Sequence, residues 1–122
     1  MRVSLTNLTD ELCEFSHNNL LFEGIIQGDI GQVLNKKEID IELDIDQELV
    51  WGVDIFCCNE KITVPRDCNL FYGKIIQREG DFLFIEIFGG LVSIETINVP
   101  NDVCNIKLVC KKKNTHVFDS NL

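Results

Sequence analysis

Residues Glu38–Asp46 read EIDIELDID, in which acidic and aliphatic side chains alternate without a break. Successive side chains on a β-strand point to opposite faces, so the four aliphatic side chains can enter a core while the five acids line the other face. Alternate residues on one face are about 6.6 Å apart, a spacing at which like charges repel unless water, salt or a basic partner compensates. The stretch therefore predicts a half-buried strand, and two interpretations of its acidic face stay open: a solvated surface or a docking surface for cations.

Length and composition favour one globular domain that spans residues 1–122. Of the 122 residues, 45% are hydrophobic and 25% are charged, and only two are prolines. A chain of this size can bury a single core and has little material for a disordered linker. The net charge of -9 argues against binding to DNA or RNA, whose phosphates would be repelled, and it favours a basic protein partner.

The sequence predicts a cytoplasmic protein that does not act at a membrane. Residues 1–15 lack the apolar run of a secretory signal, and no stretch approaches the roughly 20 apolar residues of a membrane span. In such a chain, cysteines among aliphatic neighbours are expected to be reduced core thiols rather than disulfides. The six cysteines are Cys13, Cys57, Cys58, Cys68, Cys104 and Cys110.

Two periodicities predict the secondary structure. Leu5, Leu8, Leu12 and Phe15 recur at helical spacing and predict a short N-terminal helix that ends near His17. Beyond it, short runs rich in Val, Ile and Phe are separated by turn residues and predict β-strands. These strands are Leu20–Gln27, Gly31–Leu34, Glu38–Asp46, Val50–Cys58, Lys61–Val64, Leu70–Gln77, Phe82–Phe88, Leu91–Val99, Asn105–Lys112 and Thr115–Phe118. The predicted fold class is mainly β (α+β): an antiparallel β-sandwich or a partly open barrel of meanders, with the helix at its N-terminus.

The clearest hairpin joins Leu70–Gln77 to Phe82–Phe88 and continues into a third strand. If Glu79 and Gly80 form a two-residue turn, Ile76 lies opposite Leu83. Both faces of this meander are then apolar, which predicts that it is the centre of the fold and is covered on both sides.

The sequence carries no motif for catalysis or metal binding. A calcium loop counted from Asp40 would need Gly and Glu where Ile45 and Trp51 stand, and no Cys-x-x-Cys pair is present for zinc. The only histidines, His17 and His116, lie in no recognisable catalytic setting, and no Gly-rich phosphate loop occurs. We therefore expect no enzymatic activity, no catalytic residue, no cofactor and no metal site.

A large aromatic residue adjoins the acids. Trp51 follows them closely in the chain, and interfaces for basic partners use aromatic anchors ringed by charges. The alternative for Trp51 is a core residue, since Val50 and Val53 lie beside it. The residues predicted to bind the partner are Asp40, Glu42, Asp44, Asp46, Glu48, Trp51 and Asp54.

With the acids of Glu38–Glu48, together with Trp51 and Asp54, the chain resembles the immunity proteins of contact-dependent growth-inhibition and related polymorphic bacterial toxin systems. Those proteins are small, acidic, cytosolic, often β-rich and without catalytic residues. The resemblance implies a protein that binds a cognate toxin domain, such as a nuclease, and covers its active site, with the acids in place of substrate phosphates. The alternative is a non-catalytic structural or assembly β-domain of a larger complex, in which the acidic strand merely maintains solubility.

Overall fold

The computed structural model describes residues 1–8, 12–28 and 38–120. These residues form eleven β-strands and one short 3-10 turn, so the prediction of a mainly β fold is confirmed. The strands are β1 Arg2–Leu8, β2 Cys13–His17, β3 Leu20–Gln27, β4 Glu38–Ile45, β5 Leu49–Val50, β6 Ile55–Cys57, β7 Cys68–Glu79, β8 Phe82–Ile87, β9 Gly90–Ile97, β10 Asn105–Lys111 and β11 Thr115–Asp119, and the 3-10 turn is Lys112–Asn114.

Five strands close into a barrel in the order β1-β2-β3-β11-β4. The pair β3 and β11 is parallel, and the other neighbours in the barrel are antiparallel. This is the strand order of a five-stranded Greek-key barrel, which the OB-fold also has, and a shared order by itself assigns no function. The chain between β4 and β11 forms the second sheet, which is thus an insertion into the barrel.

The second sheet has six strands in the order β5-β9-β8-β7-β10-β6. One cluster of buried apolar side chains joins it to the barrel. At the junction, the Phe22 ring of β3 lies 5.2 Å from Phe15 and 5.4 Å from Phe71 of β7, measured between centroids. Aromatic pairs at this distance add to the stabilisation from buried area alone, so the two sheets share one core.

The predicted N-terminal helix is wrong for the residues that the structure describes. Leu5 lies in β1 and Phe15 in β2, and the two residues pair directly across a hairpin. A helix would hold them about 15 Å apart along its axis. Val3, Cys13 and Phe15 are buried at strand spacing, and this burial in the barrel outweighs the helical pattern. No helix in residues 1–8, 12–28 and 38–120 has the length and apolar character needed to cross a membrane.

Turn-forming residues interrupt or abolish two of the predicted strands. Val50–Cys58 is split into β5 and β6 by a turn in which Gly52 has a φ of +84°. Lys61–Val64 lies directly before Pro65 and forms no strand. A high β-propensity stabilises a strand only where its side chains pack against those of a neighbouring strand. Gly31–Leu34 falls outside the described residues. The other predicted strands are observed with ends within two residues of the prediction.

The predicted hairpin of β7 and β8 is present, but its register differs from the prediction. Glu79 pairs with Phe82, so the turn is Gly80-Asp81 rather than Glu79-Gly80. With this turn, Leu83 lies opposite Arg78. A bulge at Ile76 shifts the ladder farther from the turn, where Ile75 lies opposite Ile85. A bulge adds one residue to one strand, which simple alternation does not reveal.

The prediction that both faces of the meander are covered is also wrong. The inner face of β8 is formed by Leu83, Ile85 and Ile87, which are buried against the barrel. On the outer face, Phe82 is 46% exposed and Leu91 is 63% exposed. β1 and β2, where the helix was predicted, form the first hairpin of the barrel.

Candidate functional site

The acidic row, defined as Glu38, Asp40, Glu42, Asp44 and Asp46, lies on the outside of the barrel. The intervening residues Ile39, Ile41, Leu43 and Ile45 are buried, so the predicted alternation is confirmed. Pairing of β4 with β1 on one side and with β11 on the other holds this orientation, because a slip of one residue would exchange the two faces.

One cation compensates the beginning of the acidic row. Arg2 Nε lies 3.0 Å from Glu38 Oε2, and Arg2 Nη1 lies 3.4 Å from Asp40 Oδ2. The hydrogen bond to Glu38, followed by the charge of Asp40, raises the pKa of Arg2. Within residues 1–8, 12–28 and 38–120, no Lys or Arg lies at ion-pair distance from Glu42 or the acids that follow it in the row. The second half of the row is therefore the part that a cationic partner would neutralise.

The second half of the row opens into a groove at the seam between the barrel and the six-stranded sheet. This seam groove has a volume of about 340 Å³. Asp44, Asp46 and Glu48 line it from the β4 side, and Phe82 and Glu95 line it from the β8 and β9 side, together with Ile45, Gln47 and Ser93. Four carboxylates thus share one surface with an aromatic ring that is 46% exposed.

Sequence reasoning missed Phe82 and Glu95 as members of this site. The alternation along β9, with Val92, Ile94 and Thr96 buried, contained the signal that Glu95 points outwards. That Glu95 meets the acids of β4 depends on which strands adjoin at the seam, and local sequence does not specify this contact.

A second groove borders the acidic row on the β11 side. It has a volume of about 470 Å³ and is lined by Gln27, Gly28, Glu42, Phe118, Asp119 and Ser120. Phe118 lies opposite Glu42 in the ladder and is 40% exposed. Each groove beside the row therefore presents one carboxylate-flanked phenylalanine to solvent.

The structure places Trp51 and Asp54 in the turn between β5 and β6. Asp54 Oδ2 accepts a hydrogen bond of 3.0 Å from the Val50 backbone N–H, and Asp54 N donates to Val50 O at 2.8 Å. Trp51 is half-buried and packs against the core. Neither residue lines the seam groove, where Phe82 is the exposed aromatic side chain. Their contact with a partner stays a prediction.

The two histidines lie in separate structural settings. His17 Nδ1 is 2.9 Å from Arg2 O, and its ring centroid is 4.6 Å from that of Phe88. His116 Nδ1 is 2.7 Å from Gln27 Nε2. In the described part of the chain, no group of three or more His, Cys, Asp or Glu side chains is arranged to hold a metal ion.

The six cysteines are free thiols, and they differ in exposure. Cys13 and Cys110 are buried and Cys58 and Cys104 are exposed, so the prediction that all six lie in the core is wrong. Burial raises the pKa of Cys13 and takes the pKa of Cys110 to about 12. Burial and then the charge of Asp67 raise the pKa of Cys68, while a hydrogen bond from Lys111 lowers the pKa of Asp67.

Thiol titration is expected to separate these classes. In the native protein near neutral pH, Cys58 and Cys104 should react first, whereas Cys110 should react only on unfolding, because the thiolate is the reactive form and its pKa is about 12. Under denaturing, non-reducing conditions all six thiols should be counted. A denatured count of two or fewer would show that disulfides form.

Comparison with known proteins yields no relative from which a function could be inferred. No family model matches the chain, and neither a curated protein nor a solved structure matches it. Any functional conclusion therefore depends on the acidic row, the two grooves and their charges.

Proposed function

We propose that this chain is a small acidic binding protein that neutralises a basic cognate toxin domain by covering its active site. Nucleases are one class of toxin with the required basic surface, since they bind phosphates. The observation that carries the proposal is the uncompensated half of the acidic row, which continues into the seam groove beside Phe82.

Electrostatics favours a cationic partner at this surface. Asp44, Asp46, Glu48 and Glu95 share one groove, and the whole chain has 20 acidic residues against 11 Lys and Arg. Like charges held this close repel, and an approaching basic surface relieves the repulsion. Complementary charge raises the rate of encounter and fixes the register of the complex.

The exposed aromatic side chains supply apolar contact area, which charged side chains alone do not. Phe82 and Phe118 are partly exposed, each in a groove that contains acids of the row. Buried aromatic anchors carry much of the affinity of an interface, while the charged rim excludes wrong partners. In the proposed complex, toxin lysines and arginines contact the acids, and apolar toxin side chains cover Phe82 and Phe118.

A co-expression experiment tests the proposal. This chain is produced in the same cells as the product of the reading frame that adjoins its own gene. The wild-type chain should restore the growth of cells that produce a toxic product of that frame. The triple variant Glu42→Gln, Asp44→Asn, Asp46→Asn keeps the side-chain shapes and removes the uncompensated charges, so it should protect at least about tenfold less well in a plating assay.

The matched control is Glu60→Gln, Asp81→Asn, Asp102→Asn, which removes the same charge from exposed positions off the row. It should protect as the wild type does. The proposal is contradicted if the adjoining product is not inhibited by the wild-type chain, or if the row variant protects fully.

A further inference from the structure

The outer face of the six-stranded sheet carries apolar side chains that the rest of the described chain does not cover. Phe56, Tyr72, Phe82, Phe84 and Leu91 form this outer sheet face. Tyr72 and Phe82 are each 46% exposed and Leu91 is 63% exposed, while Phe56 and Phe84 are half-buried. Contiguous exposed apolar side chains on a folded protein mark an interaction surface.

The ladder places all five side chains on the same side of the sheet. Phe56 and Tyr72 are both paired with Lys107, one from each neighbouring strand. Phe84 is paired with Ser93, and Phe82 with Glu95. Directly opposed residues share a face, and Glu86 of β8 is paired with both Lys74 and Leu91. The apolar side chains therefore run obliquely over β6, β7, β8 and β9, with Lys107 of β10 between Phe56 and Tyr72.

Opposite charges predominate at the two ends of the outer sheet face. Lys74 and Lys107 lie at the end next to Tyr72, where Glu86 stands opposite Lys74, and Lys107 Nζ is 5.9 Å from the centre of the Tyr72 ring. Glu79 and Glu95 lie at the other end, both opposite Phe82. At a rise of about 3.3 Å per residue, the two ends are about 20 Å apart. One end of the face thus carries two lysines and one glutamate, and the other end carries two glutamates, with apolar side chains between them.

We infer that this outer sheet face binds a second copy of the chain in a two-fold symmetric dimer. A face with opposite charges at its two ends is complementary to itself once one copy is turned around, and an isologous contact repeats every pair twice. In the dimer, Lys74 and Lys107 of one copy face Glu79 and Glu95 of the other, and the apolar side chains pack between them. A basic partner is a poorer match for this face, because it would meet both lysines.

The inference does not depend on the proposed toxin. The acidic row lies on the barrel, and Glu42 and Phe118 stand in the groove on the β11 side, away from the outer sheet face. A dimer therefore leaves that groove open to a partner. Phe82 and Glu95 also line the seam groove, so the second copy and the toxin compete for that groove.

Sedimentation of the full chain over about 1 µM to 1 mM tests the dimer, since this range brackets the affinities of weak and moderate complexes. The wild type should pass from monomer to dimer. Lys74→Glu with Lys107→Glu should weaken the dimer by at least about tenfold, and so should Glu79→Lys with Glu95→Lys. Leu91→Ser should weaken it without changing charge, because it removes an apolar side chain that is 63% exposed in the monomer.

An equimolar mixture of the two charge-reversed variants is the decisive sample. Each variant alone brings like charges together, whereas the mixed pair brings opposite charges together at both ends, so it should form a heterodimer at least as tight as the wild-type dimer. Arg66→Glu with Lys113→Glu changes the charge by the same amount off the face and should dimerise as the wild type does. A wild type that stays monomeric throughout, or charge-reversed variants that fail to pair when mixed, would overturn the inference.

Discussion

Replacing Phe71 by alanine is expected to lower the free energy of unfolding by about 3–5 kcal/mol, a large part of the about 5–15 kcal/mol that stabilises a domain. The Phe71 side chain is fully buried, with 0% exposure. Its ring centroid lies 5.4 Å from Phe22 of the barrel and 5.9 Å from Phe88, so its removal opens a cavity where the two sheets meet. Both sheets should therefore lose stability together.

Chemical denaturation followed by circular dichroism and by Trp51 fluorescence measures this effect. The two probes should give one coincident transition, in the wild type and in the Phe71→Ala variant. Phe118→Ala is the control, because that side chain is 40% exposed and its loss should cost less than about 1 kcal/mol. Two separate transitions would show that the barrel and the inserted sheet are independent domains.

Substitution of Asn69 is expected to have the second largest effect. Asn69 is 3% exposed. Its side-chain amide forms hydrogen bonds with the Glu23 backbone N–H and C=O, as a neighbouring strand would. Glu23 N donates to Asn69 Oδ1 at 2.9 Å, and Asn69 Nδ2 donates to Glu23 O at 2.7 Å and to Thr115 Oγ1 at 3.1 Å. Pairing of β3 with β11 is observed from Ile25 onward, so the amide serves the part of β3 before that point.

Asn69→Ala should cost about 2–4 kcal/mol, since it leaves two backbone groups of Glu23 without these partners, at about 1–3 kcal/mol for each buried group. Asn69→Asp provides a pH test. Burial beside Glu23 O should raise the pKa of the introduced carboxyl above its ordinary value. A raised folded-state pKa gives stability that is present at low pH and lost as pH rises, so this variant should be less destabilised, relative to wild type, near pH 4 than near pH 7.

Urea denaturation of wild type and both variants at the two pH values measures these differences. Thr115→Val serves as a partial control, because it keeps both hydrogen bonds between Asn69 and Glu23. It removes the hydrogen bonds of Thr115 Oγ1 with Asn69 Nδ2 and with Lys111 O, and it should cost less than Asn69→Ala. Stability equal to wild type in Asn69→Ala would show that the amide does not join the two sheets.

The strands could be predicted where alternation is local and complete. The pattern of β4 specified its buried and exposed faces without any knowledge of its neighbours, and β3 was predicted with its observed ends. The first hairpin could not be separated from a helix, because Leu5 and Phe15 fit both periods until their pairing is known. The parallel pairing of β3 with β11 joins residues far apart in the chain, and such contacts leave no local pattern.

The residues of the candidate site also differ in whether local sequence could predict them. The acids of the row were predicted from β4 alone, since their side of the strand follows from the burial of the aliphatic residues. Phe82 was expected to be covered, but no element of the described residues covers the outer face of β8, and Phe82 is 46% exposed. Glu95 joins the site only because β9 adjoins β4 at the seam, which is a property of the whole fold.

The rate of association with the basic partner, measured against salt concentration, tests the proposed role of the acidic row most directly. Stopped-flow mixing would compare the wild type, the variant Glu42→Gln, Asp44→Asn, Asp46→Asn, and the charge-matched control off the row. The row variant should associate about tenfold more slowly at low salt and depend less steeply on salt, with unchanged or slightly higher stability, because long-range attraction is lost while the fold is kept. Equal association rates and equal salt dependence in all three proteins would contradict the account and identify the acidic face of β4 as a solvated surface.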